Sequence, residues 1–260
     1  MRHGTHQLST HVSGKFALPK SGAREAIVED DILNSMKNHS LRTRAFTRVE
    51  LVVVSATLCL LTTLFLRAQT DPLARARTHR ILCMANLKEI GLAFRTWANE
   101  HNNKFPMQYG AERGGSSDAV ATERPWLHFQ VLSNHFATPG TLICPADDRQ
   151  PAQNFSNLTL TNVSYFVGLD ARENLPETPL AGDRNITNGV PPKNGVIELT
   201  DAPPAGWTET IHNQSGNIGL ADGSARHLTT LGLRRQITAA NDSNKRGKTR
   251  LHLPIATDGP

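Results

Sequence analysis

The sequence predicts an α+β protein: a long N-terminal helix, its first half apolar enough to lie in a bilayer, packed on a small antiparallel-sheet head. Three observations lead there. A charge-free apolar run covers Leu51 to Leu66, and extended back over Glu50 and Arg48 to Phe46 the stretch has 21 residues; a helix of about 20 residues spans a bilayer. A second stretch carries Cys83, Leu87, Ile90, Phe94 and Trp97 at intervals of four, three, four and three, which is one helix face. Beyond it lie short β-rich runs, two of them flanking Asp222-Gly223, a hairpin signal because glycine accepts positive φ.

The chain reads in five parts. Residues 1–45 are polar and basic with an acidic cluster at Glu29, Asp30 and Asp31, and they show no sustained apolar period. Such composition is expected to be disordered. Met36 offers a second start, leaving a short basic leader of its own. Residues 46–66 are the expected transmembrane helix; a cleaved secretory signal is the alternative for the same run. Residues 67–100 are the expected amphipathic stem, with Asp71-Pro72 kinking or briefly interrupting it. "NEHNNKFP" ends the stem with turn formers. Residues 101–233 form the head, and 234–260 read as a polar basic tail.

Within the head, Trp126 to Phe136 is expected to form a short helix, with Pro125 suited to its first turn. Val163 to Gly168 and Val196 to Thr200 are expected strands, as are Asn217 to Ala221 and Ser224 to Leu228. These strands would cover the apolar face of the stem.

Charge and composition narrow the function. Of 260 residues, 38% are hydrophobic, enough for a core, and the net charge is +5. Basic residues gather around the apolar run and in the tail (Arg234, Arg235, Lys245, Arg246, Lys248, Arg250) without aromatic interleaving. Charge flanking a membrane segment accounts for this, and no nucleic-acid partner is expected. Basic residues stand on both sides of the run, Lys37, Arg42 and Arg44 before it and Arg67, Arg75, Arg77 and Arg80 after it. Charge alone therefore does not set the orientation.

Sites of chemistry are sparse. His212, Ser215 and Asp222 are the residue types of a hydrolase triad, but no Gly-x-Ser-x-Gly elbow surrounds Ser215. Asp147, Asp148, Asp170 and Asp183 could give oxygens to calcium, yet they follow no EF-hand loop. No Cys-x-x-Cys pair or His-x-x-x-His helix argues for zinc. The expectation is no enzyme, no metal and no cofactor. There are three cysteines. Cys59 lies in the membrane run as a small hydrophobe, whereas Cys83 and Cys144 can form a disulfide stapling stem to head if the head is outside the cytoplasm.

One block carries a resemblance. Arg44-Ala45-Phe46-Thr47-Arg48-Val49-Glu50-Leu51 resembles the cleavage and methylation motif of type IV pilins and type II secretion pseudopilins. That resemblance implies a prepilin peptidase cutting between Ala45 and Phe46 and methylating the new amine of Phe46. It implies that Glu50 pairs with the amine of another subunit, since a charge in lipid is costly unless paired. Ala45 stands where the family usually has Gly, and Arg48 where it usually has an apolar residue. The stem pattern Cys83, Asn86, Leu87, Lys88, Ile90, Gly91 is similar to a bacterial group of pilin-like proteins. So are "LICPADD" (Leu142 to Asp148), "NVSYFVGLDA" (Asn162 to Ala171) and "IHNQSGNIGLADGSARHL" (Ile211 to Leu228). The function so implied is a membrane-anchored pilin-like or pseudopilin subunit of a type II secretion or type IV pilus-like assembly. Its partners would be like subunits, the prepilin peptidase and the membrane. It would cross the inner membrane once, with the C-terminal domain outside the cytoplasm. An anchored binding module that never polymerises is the alternative.

Overall fold

The computed structural model describes residues 47–255, apart from the side chains of 67–70. Ala45, Phe46 and the 1–45 leader lie outside the described residues. The chain divides into two units, one up to Thr62 and one from Thr63.

Helix α1 is Arg48–Thr70. Its start is a capping box. The Thr47 hydroxyl accepts from the Glu50 amide at 3.2 Å, and Glu50 Oε2 accepts from the Thr47 amide at 2.8 Å. Ser55, Thr57 and Thr62 donate their hydroxyls back to carbonyls three or four residues earlier, so the polar side chains of the run are satisfied within it. Over Arg48–Leu66 the helix is long and apolar enough to cross a membrane.

Helix α2 is Pro72–Glu100. The interruption expected at Asp71-Pro72 is a full break between two helices. Asp71 adopts φ −72°, ψ 110° and accepts the Leu73 amide at 2.9 Å, making it the N-cap of α2 with Pro72 at its first turn. The apolar stripe buries as a face: Cys83, Leu87, Ile90, Ala93, Phe94, Trp97 and Ala98 are all buried. Each large member contributes about 1.5–3 kcal/mol relative to exposure.

The head is a mixed helix and antiparallel-sheet unit. Eight strands follow in chain order: β1 Tyr165–Gly168, β2 Pro179–Asp183, β3 Ile186–Thr187, β4 Val196–Leu199, β5 Gly206–Trp207, β6 Ser215–Leu220, β7 Ala225–Thr229 and β8 Thr249–His252. Six form one sheet in the order β4-β8-β1-β2-β6-β7, every neighbour antiparallel; β3 and β5 pair separately. Because side chains alternate between faces, the sheet serves two cores. Tyr165 and Val167 join the α2 face with Phe94, Phe105, Phe129 and Leu142. Phe166 points into the second core with Leu199, Trp207, Ile218, Leu251 and Leu253.

That second core corrects the expected tail. Residues 230–252 are helix α4, Thr230–Asn244, and strand β8 in the interior of the sheet. Leu233, Ile237 and Ala240 are buried on one side of α4. Three of the charges that suggest a solvated tail are paired with carboxylates. Arg250 Nη2 lies 2.7 Å and Arg246 Nη1 3.1 Å from Asp170 Oδ1, and Lys248 Nζ lies 2.9 Å from Glu198 Oε1. The helix expected over Trp126 to Phe136 is also shorter. Only Leu127–Gln130, α3, is α-helical, followed by a 3-10 turn at Ser133–His135.

Candidate functional site

The motif fragments noted in the sequence meet around α2. Asn86 donates its amide to the Ile143 carbonyl at 2.9 Å and to Tyr165 Oη at 3.3 Å. Gly91 faces the Asp222-Gly223 turn between β6 and β7. A Cβ built on Gly91 would lie 3.2 Å from Gly223 Cα, so glycine allows the two backbones to approach closely. Gly223 itself has φ +85°, as the turn requires. The Arg95 guanidinium donates to the Asp222 carbonyl, fastening the same turn.

Beneath this contact lies a buried polar cluster. Cys83 comes from α2, Cys144 from the loop after the 3-10 turn Pro139–Leu142, Asp183 from the end of β2, and His212 from the loop before β6. Cys83 and Cys144 are joined as a disulfide with Cα atoms 5.2 Å apart, within the usual span. Cys83 Sγ lies 3.2 Å from Asp183 Oδ1 and 3.3 Å from Tyr165 Oη. Cys144 Sγ lies 3.2 Å from His212 Nε2, which is 3.5 Å from Asp183 Oδ2. One side-chain atom from each of the four residues lies within 4.8 Å of all the others.

His212 is held there by an unusual backbone. His212, Asn213 and Gln214 have φ of 55°, 49° and 56°. Three successive non-glycine residues in the left-handed region cost about 1–2 kcal/mol each. Such strain is kept where the surrounding structure over-determines it. The Ser215 hydroxyl donates to the His212 carbonyl at 2.6 Å and ties the turn to β6.

Electrostatics follow from burial. Asp183 has no exposed side-chain surface, and desolvation raises its carboxyl to about 7 despite hydrogen bonds to Oδ2 from the Asn217 amide at 2.7 Å and side chain at 2.9 Å. A disulfide sulfur carries no hydrogen, so the Cys83–Asp183 contact in that state takes its proton from the carboxyl. Burial, then the charges of His227, Arg80 and His79, push His212 down to about 4, so its imidazole is neutral at pH 7. Burial and Asp183 raise Tyr165 well above the usual phenol range.

The other singled-out residues sit elsewhere. Ser215 bonds a backbone carbonyl, His212 faces Cys144 and Asp183, and Asp222 Oδ1 accepts the Ser224 amide at 2.8 Å. The three share no proton relay. Asp147 is clasped by Arg184 through two bonds of 2.7 and 2.8 Å, and Asp170 by Arg246 and Arg250. Asp148 is 93% exposed at its side chain, and Asp183 belongs to the cluster. These acids therefore do not converge on a calcium position. An open groove of about 780 Å³ lies apart from the cluster, with Met107, Val120, Leu169, Val190, Glu198 and Arg250 on its walls.

Each member of the cluster is visible in the sequence, but under separate headings: two cysteines as a disulfide, Asp183 among calcium candidates, His212 in a triad. Tyr165 and Asn217 are legible only as strand residues. The spacings between 83, 144, 183 and 212 exceed any local motif, so only the fold unites them. No family model, curated protein or solved structure matches the chain.

Proposed function

We propose that this chain is a membrane-anchored, pilin-like subunit of a type II secretion or type IV pilus-like assembly. The observation that carries the reading is the block Ala45-Phe46-Thr47-Arg48-Val49-Glu50 set directly against an apolar helix. A prepilin peptidase cuts between Ala45 and Phe46, and α1 then holds the subunit in the inner membrane and against like subunits. Two features support it. Every described side chain of α1 through Leu66 is exposed, so the helix needs an apolar environment from outside the chain. The Cys83–Cys144 disulfide suits a head outside the cytoplasm, where oxidising conditions preserve such bonds.

A second reading is an anchored binding module that does not polymerise. The capping box favours it, because Glu50 then has a local task and needs no partner subunit. The open groove on the head favours it as well.

Cross-linking the parent beside Glu50→Gln separates the two. Glutamine completes a capping box as glutamate does, so the helix start is kept and only the charge is lost. The subunit reading expects normal cleavage before Phe46, normal abundance and loss of higher-order cross-links, since an unpaired buried charge costs about 3–5 kcal/mol. N-terminal sequencing and cross-linking of intact cells measure both. A parent that stays strictly monomeric in intact cells favours the binding module. Parent-like ladders from Glu50→Gln would show that the charge serves only the helix cap; a mature chain beginning near Thr70 rejects the subunit reading.

A further inference from the structure

The buried cluster contains more than a disulfide requires. A covalent staple between α2 and the Cys144 loop needs only the two sulfurs. Here a wholly buried carboxyl and a nearly buried imidazole are aimed at those sulfurs. Asp183 has no lysine or arginine within ion-pair distance among the described residues. Its Oδ2 is fixed by two donors from Asn217, which leaves Oδ1 free to face Cys83. Asn217 is in turn fixed by His227, whose Nδ1 lies 3.0 Å from Asn217 Oδ1. The left-handed turn His212–Gln214 holds Nε2 toward Cys144 and Asp183. Two sulfurs, one imidazole nitrogen and one carboxylate oxygen, supported by outer hydrogen bonds, make the donor set and surroundings of a closed zinc site.

We propose that the reduced head binds one zinc ion through Cys83, Cys144, Asp183 and His212, and that the disulfide is the metal-free form of the same site. The chemistry balances with a dithiol reductant. Its two electrons and two protons break the Cys83–Cys144 bond and leave two thiols, while the reductant becomes a disulfide. Zinc then displaces both thiol protons to solvent, together with the Asp183 proton where the carboxyl holds one. His212 gives its Nε2 lone pair. Two thiolates at about 2.3 Å from a tetrahedral zinc stand roughly 3.7 Å apart, so breaking the disulfide must let the sulfurs part by more than about 1 Å to admit the metal. Three anions and Zn²⁺ leave one negative charge, and Arg80 is near enough to act on His212. Thiolate and imidazole donors select zinc over calcium or magnesium. This inference concerns the head alone and does not depend on whether the chain polymerises.

The test uses the full chain in detergent, reduced with a phosphine under nitrogen, desalted and titrated with Co²⁺ as a coloured stand-in for zinc. One equivalent should give the visible absorption of tetrahedral cobalt and a thiolate charge-transfer band. One equivalent of Zn²⁺ should abolish both, and the oxidised protein should show neither. Asp183→Asn and His212→Gln, each first shown folded by near-ultraviolet circular dichroism while oxidised, should bind cobalt more than about tenfold more weakly. Three results overturn the proposal. One is a folded, reduced parent with no cobalt spectrum. Another is parent-like affinity in both variants, which reduces the site to two stray thiols. The third is a reduced head that unfolds and is not restored by zinc.

Discussion

Helices α1 and α2 follow one another in the chain and treat their apolar residues in opposite ways. In α1, Val52, Leu58 and Phe65 are each more than 60% exposed. In α2, Leu87, Ile90 and Phe94 are at most 1% exposed. The difference is one of pattern more than of composition. Apolar residues surround α1, so no single packed neighbour could cover it. In α2 they form one stripe, which a sheet can cover. Helix α1 thus depends on a medium outside the chain and α2 on the chain itself. The two should fail independently when broken.

The largest effect is expected in α1. Leu58→Arg together with Leu61→Arg places two charges near the middle of the apolar run, at about 2.5–3.5 kcal/mol each for a bilayer-centred helix. Carbonate extraction should release the protein from membranes, while the unfolding midpoint of the head stays unchanged. Retention in the membrane pellet would remove α1 as the anchor. A fall in the head's midpoint would show that the helices are not independent.

The matching break in α2 is Phe94→Ala. Phe94 stands edge-on to Phe105 and Phe129 with ring centroids 6.1 and 6.2 Å away. Truncating it should cost about 3–5 kcal/mol in urea unfolding of the detergent-solubilised protein, with no loss of membrane retention. Leu92, two residues earlier and 65% exposed, is the internal control. Leu92→Ala should shift stability by no more than about 0.5 kcal/mol. Equal effects at the two positions would contradict the burial that distinguishes them.

Removing the staple comes next. Cys83→Ser with Cys144→Ser opens a loop whose ends are 61 residues apart, and loss of a native disulfide typically costs about 2–5 kcal/mol. The urea midpoint should fall and dithiothreitol should no longer shift it. A parent-like midpoint would mean that the bond adds nothing to the packing of α2.

How much of this could be read from residues alone depends on whether the signal is local. The α2 stripe is legible because helical spacing repeats within a few residues, and the β6–β7 hairpin because Asp222-Gly223 marks its turn. Strand β2, "PLAGD", is buried along its whole length and shows no alternation, so its place in the sheet has no local signature. Strand β8 is disguised by Arg250, whose charge is met by Asp170 eighty positions earlier in the sequence. The Cys83, Cys144, Asp183 and His212 cluster is hidden for the same reason: each donor has an ordinary neighbourhood, and only the sheet order brings them together.

The smallest expected effect is a net difference, and it sharpens the comparison because only the head contains groups that produce it. His128 and His252 are buried against each other, Nε2 to Nδ1 at 3.0 Å. Burial drives both below the ordinary value of 6.5, His252 to about 4, and it lowers His212 to about 4 as well. The unfolded chain takes up these protons near pH 6.5, while in the folded head His212 and His252 refuse theirs until about pH 4 and burial holds His128 neutral well below 6.5. Stability from the histidines is therefore present above pH 6.5 and is lost progressively between 6.5 and 4. Asp183 works the other way. Its folded carboxyl, raised to about 7, keeps a proton that the unfolded chain releases above about 3.8, so it favours folding as pH falls from 7 toward 4. His227 is lowered by burial as well, so four histidines lose stability with acid and Asp183 gains it, and the parent's unfolding midpoint should drop moderately between pH 7 and 5. Asp183→Asn removes the opposing group, and its midpoint should drop more steeply over the same interval. Urea titrations of both proteins at pH 7, 6 and 5 measure the slopes. A parent more stable at pH 5 than at pH 7 would show that the buried histidines do not outweigh Asp183, and a shallower slope in Asp183→Asn would show that the Asp183 carboxyl does not keep its proton in the folded head.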